Sequence, residues 1–144
     1  MMTNPLPHPR ATIPAILDYL ATSHRYGKRN RCLYRLRPVL RYRDITELRL
    51  GDVLNVDGTI VEEIHGDCWT LHVDRELASD LLAYVRERYG RYDLTNYVYI
   101  RGADYLFRTQ KSVRFSPNWL AQLFTHLDRF LKINLQYTKN AVAQ

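Results

Sequence analysis

Cysteine is scarce in this chain. Cys32 and Cys68 are its only two in 144 residues, too few for a disulfide framework to organise a domain of this size. Long apolar runs are missing as well. No stretch approaches the roughly 20 apolar residues that a membrane helix needs, and residues 1–9 carry no apolar core of signal-peptide length. A cytoplasmic protein with no membrane partner is the resulting expectation. No glycine-rich phosphate loop, paired-carboxylate motif or Ser/His/Asp arrangement appears, so the common signatures of nucleotide binding and hydrolysis are lacking. His65 and Cys68 stand at H-x-x-C spacing, but a zinc site usually needs four converging ligands and nothing supplies the rest. No metal and no cofactor is expected. Lysine is absent from residue 29 to residue 110, an interval in which every basic side chain other than histidine is arginine.

What is present is a basic, ordinarily hydrophobic domain. Hydrophobic residues make up 46% and charged residues 25% of the chain, as in soluble globular proteins. A chain of this length can bury about 68–70% of its unfolded surface. The formal net charge is +6, and its excess is unevenly placed. Arg25, Lys28, Arg29, Arg31, Arg35, Arg37, Arg41 and Arg43 follow one another with no acid between them. Such blocks solvate a face or attract a polyanion. Nucleic acid is the expected partner, with a plain solvated face and an acidic protein partner as alternatives. If four to six of these arginines each neutralise a phosphate, log K against log[salt] has a slope of roughly −4 to −5.

Three prolines keep residues 1–11 extended as an N-terminal arm, and residues 12–144 form the domain proper. Thr12 can cap a first helix bearing Ile13, Ile16, Leu17 and Leu20 on one face. The basic segment carries Cys32, Leu33, Leu36, Val39 and Leu40 at helical spacing. Arg31, Arg35 and Arg37 are then expected to project away from the buried stripe. Asp57-Gly58 and Gly66-Asp67 mark turns, with strands over residues 60–64 and along the alternating Trp69, Leu71 and Val73. Asp74 caps a helix with the stripe Leu77, Leu81, Tyr84 and Val85, closed by Gly90. Residues 96–100 read as a third strand or extended segment. Ser116 and Pro117 open a final helix with Leu120, Leu123, Phe124, Leu127, Phe130 and Leu131 on one side. The order predicts an α+β fold, a mainly helical single domain with a small antiparallel sheet. Trp69 and Trp119 are expected in the core. Most of the eleven tyrosines are expected to pack there too, although Tyr89, Tyr92, Tyr97, Tyr99 and Tyr105 also suit base stacking.

Residues 40–53 carry the most specific pattern. Arg41 is followed by Leu48 and Asp52, seven and eleven residues later, and this resembles the first active-site box of the tyrosine recombinases, or phage integrases. Leu106-Phe107-Arg108-Thr109-Gln110-Lys111 and Phe115-Ser116-Pro117-Asn118 are similar to the stretch that precedes the last active-site boxes in one integrase group. The resemblance covers roughly residues 12–135 and implies the N-terminal part of a tyrosine recombinase catalytic domain. It implies that Arg41 grips a DNA phosphate through a bidentate fork that lysine cannot copy. Asp44 and Asp52 would orient arginines by charge-assisted bonds, and Arg43 and Arg49 would be secondary DNA contacts.

The chain departs from the family pattern at several places. Val39 replaces the usual glycine, and the hairpin lacks the family's catalytic lysine, leaving His65 as a weak substitute acid. The second arginine box and the nucleophile segment have no counterpart before residue 144, and Tyr137 lacks the boxes that precede a nucleophile. The expectation is therefore a DNA-binding, integrase-like protein without recombinase activity, serving as a regulator or accessory factor of a mobile element. Its partner would be double-stranded DNA. Two alternatives stand beside it. One is a truncated recombinase completed in trans. The other is an interaction module that pairs with a full-length integrase, or with itself as a homo-oligomer.

Overall fold

The computed structural model describes Leu17, residues 26–109, Lys111 and residues 113–134. The expected arm, Thr12, Arg25 and Tyr137 lie outside the described residues. Within them the order is α1 (Gly27–Leu36), α2 (Tyr42–Glu47), α3 (Leu50–Val53), β1 (Glu63–His65), β2 (Thr70–His72), α4 (Arg75–Tyr89), α5 (Tyr97–Arg101) and α6 (Pro117–Asn134). The described fold is α+β and mainly helical, with one two-stranded antiparallel sheet.

The longer helices start and stop where local chemistry dictates. Asp74 accepts the Leu77 N–H at 2.8 Å at the head of α4, and Glu76 adds favourable charge in the first turn. Gly90 ends α4 in the left-handed conformation at φ 63°, which glycine adopts without a Cβ penalty. At α6 the Trp119 N–H donates to Ser116 Oγ at 3.1 Å, and Pro117 occupies the first helical position, where its missing N–H costs nothing. Leu77, Leu81, Tyr84 and Val85 of α4 are buried with Cys32, Leu33 and Leu36 of α1, and Leu120, Phe124 and Leu127 of α6 join the same core. Arg41 stands as the N-cap of α2. Tyr42 of α2 packs on Phe124 of α6, ring centroids 5.2 Å apart.

The hairpin pairs Glu63 with His72, Ile64 with Leu71 and His65 with Thr70. An isolated two-stranded hairpin is marginal in water. This one buries Ile64 completely in the common core and contacts α3. Its turn closes with the Gly66 N–H donating to Trp69 O at 2.8 Å. The Trp69 indole lies so close over Gly66 that a Cβ there would sit 2.0 Å from a ring atom. Only glycine fits.

Several expectations need correction. The first strand begins at Glu63 rather than residue 60, because Ile60 bridges back to Leu54 and the Val61 N–H donates to Val53 O. Residues 96–100 are not extended. Asn96 turns the chain at φ 61°, and α5 follows, burying Tyr97 while Tyr99 and Ile100 stay exposed. An alternation of aromatic and aliphatic residues mimicked a strand there. Val39 is 54% exposed. Helix α1 has already ended at Leu36, and Pro38 has no N–H with which to continue the ladder. Trp119 is 52% exposed, since it lies beside, rather than on, the stripe of Leu120, Phe124 and Leu127.

Candidate nucleic-acid interface

Arg41 sits in extended backbone at φ −68°, ψ 153° before the first turn of α2, and Asp44 lies within that turn. The spacing brings the two side chains together. Arg41 Nε donates to Asp44 Oδ2 at 2.9 Å and Nη2 approaches Oδ1 at 3.5 Å. The guanidinium therefore gives its side edge to the carboxylate, while the side chain is 71% exposed. The Arg41 bond holds the Asp44 carboxyl below the usual aspartate range, and the same bond raises Arg41. Asp52 has a different role from the one expected. It accepts the Arg49 backbone N–H at 2.8 Å and caps α3.

The hairpin turn lies alongside. A cleft of about 230 Å³ is lined by Asp44, Glu47, Asp52, His65, Asp67 and Trp69, among others. His65 thus shares a cleft with the partner of Arg41. It is exposed, its Nδ1 lies 3.3 Å from Thr70 Oγ1, and its Nε2 is 4.0 Å from Glu63. The cleft carries four carboxylates, so its field opposes entry of a phosphate. Access for an anion is along the outer edge of Arg41.

The expected free basic face is the main correction. Lys28 pairs with Glu87 at 3.7 Å. Arg31 Nε lies 3.0 Å from Asp80, and Arg35 bonds the other oxygen of Asp80 and lies 3.7 Å from Glu76. Arg37 Nη1 donates to Asp128 Oδ1 at 2.9 Å and stacks over Phe124 at 4.7 Å. Arg29 is buried, donating to Asn30 Oδ1 and to Arg108 O at 3.0 Å. Of the block, Arg43 is exposed and forms no ion pair among the described residues. The acids arrive from α4 and α6. Glu76, Asp80 and Glu87, spaced by four and seven residues, form a helical stripe that flanks the apolar one of α4. That stripe was the available signal.

One cluster escaped the sequence reading. Arg49 and Arg114 both lie against the Tyr105 ring, at 4.3 and 4.5 Å from its centroid, and both donate to its hydroxyl, at 3.0 and 3.1 Å. Antiparallel bridges pair Arg49 with Tyr105 and Arg108 with Arg114, so the cluster depends on contacts that no local motif encodes.

Cys32 is buried and Cys68 exposed. Among the described residues no group of three or more His, Cys, Asp or Glu side chains is arranged to hold a metal ion. No described helix is long and apolar enough to cross a membrane. Comparison with protein-family models, with curated proteins and with solved structures finds no match for this chain.

Proposed function

We propose that this domain binds double-stranded DNA through its phosphates without cutting it, as an integrase-like accessory or regulatory factor of a mobile element. The posture of Arg41 carries this reading. Asp44 takes the Nε side of the guanidinium and leaves the outer Nη edge facing solvent, preorganised for bidentate contact with a phosphate. Arg43 adds an exposed cation two residues away. Holding a phosphate needs no more than this. Cleaving one needs a nucleophile and an acid, and the four carboxylates around His65 make its cleft a poor seat for the scissile group.

Binding of a fluorescent duplex to wild type, Arg41→Ala and Arg41→Lys tests the proposal. Both variants should weaken binding, because lysine restores the charge but not the fork. Unchanged affinity in Arg41→Ala overturns it. A covalent adduct on a nicked duplex would favour a recombinase completed in trans.

The interaction-module reading has its own support. An apolar groove of about 620 Å³ runs past Tyr34, Pro38, Val39, Tyr42, Leu71 and Leu77. Together with the neutralised basic block it suits a protein partner such as a full-length integrase or a second copy. Tight protein binding with only weak, salt-sensitive DNA binding would favour it.

A further inference from the structure

Trp119 and Val113 are the unexplained apolar groups on this side of the molecule, 52% and 57% exposed. They share a cleft of about 280 Å³ with Thr109, Lys111, Arg114 and Ser116. That volume lies just below the roughly 300–1,000 Å³ of small-molecule pockets, so one flat ring suits it better than an extended ligand. Among the described residues no carboxylate lines the cleft. Its chemistry is an indole, an aliphatic side chain, two cations and two hydroxyls.

We propose that this cleft binds one nucleotide of an unpaired nucleic-acid strand, with the base against the Trp119 indole and its phosphate against Arg114 and Lys111. Every base has a π-face that an indole can stack on, and a cationic rim completes the usual arrangement of single-strand sites. A duplex hides those faces within its stack, so the cleft distinguishes an unpaired strand from the duplex held by Arg41.

Hydrogen bonds tie the described residues of the cleft to one another. Ser116 Oγ accepts the backbone N–H of Trp119 at 3.1 Å. Across the cleft, the Thr109 N–H donates to Val113 O at 2.8 Å, Thr109 Oγ1 accepts the Lys111 N–H at 3.2 Å, and Arg108 bridges to Arg114. Buried Arg29 ties this loop to α1 through its bond to Arg108 O. Arg114 rests on Tyr105 and lies 4.0 Å from Glu47, whose side chain is half exposed. An exposed pair at that distance is weak and yields readily to a phosphate. Arg49 on the same tyrosine extends the positive charge toward a neighbouring phosphate.

The chain has two tryptophans, so Trp69→Phe leaves Trp119 as the only indole reporter. Titration with an oligothymidine strand should quench its fluorescence, while a duplex with hairpin-closed ends should not. Single-strand affinity should fall about fivefold or more in Trp119→Ala, the order expected for one stacked base, and survive largely in Trp119→Phe. Arg114→Ala should reduce the salt slope of single-strand binding by about one. Arg41→Ala should leave the quench intact, which separates failure here from failure of the duplex reading. No quench, unchanged single-strand affinity in Trp119→Ala, or Trp119 emission that shifts with protein concentration alone would overturn the proposal. The last outcome would mean that a second copy fills the cleft.

Discussion

Residue by residue, the arginines of this domain divide by what they face. Arg29 faces the core. Its guanidinium bonds Asn30 and the Arg108 carbonyl and stacks over Tyr26 and Phe115, so it acts as a cross-brace between α1 and the 108–114 loop. Arg29→Leu removes the donors that the Asn30 amide and the Arg108 carbonyl accept from. The expected loss is about 2–3 kcal/mol, or a Tm lower by roughly 5–10 °C, measured by thermal unfolding. Arg41 faces solvent, and its carboxylate partner sets a pH dependence. The folded pKa of Asp44 is depressed, chiefly by the Arg41 bond. Its stabilisation is therefore fully present above the ordinary aspartate value of about 4 and lost as the pH falls through the folded value. Urea midpoints of wild type and Asp44→Asn should differ by a constant amount from pH 7 to 5 and converge below about pH 4.

At the scale of elements, legibility followed locality. Helices α4 and α6 were readable because cap, stripe and stop lie within one stretch of chain, from Asp74 to Gly90 and from Ser116 onward. The turn at Gly66 was readable for the same reason. The fate of the basic block was not, since Arg35 finds Asp80 45 residues away and Arg37 finds Asp128 91 residues away. Helix α5 was misread because its exposed Tyr99 and Ile100 imitate a half-buried strand. Helices α1 and α4 are joined at their rim by one carboxylate between two guanidiniums, whose side chains are 24% and 18% exposed. Asp80→Asn should destabilise by about 1–3 kcal/mol, less than the 3–5 of a fully buried pair, as read from denaturant unfolding. The same variant releases Arg31 and Arg35, so duplex affinity should rise at low salt and its salt slope steepen by as much as about two. Unchanged duplex binding by the folded variant would mean that the α1 face is not held back by its acids.

For the whole molecule, the formal charge of +6 does not say where the cations face. On α1 and just after it, Lys28, Arg31, Arg35 and Arg37 each lie beside an acid, whereas Arg43 is exposed with no ion pair among the described residues. Apolar packing of α1 on α4 draws the acid stripe of one helix against the basic stripe of the other, so the core that builds the fold also neutralises the face expected to bind DNA. The most direct measurement is the salt dependence of duplex binding, in wild type and in the Arg41→Ala and Arg31→Ala/Arg35→Ala variants. With about two or three phosphates neutralised, the wild-type slope of log K against log[salt] should be about −2 to −3. Arg41→Ala should flatten it by about one, and the double variant should leave it unchanged. A wild-type slope of about −4 to −5 that collapses in the double variant, and not in Arg41→Ala, would contradict the account.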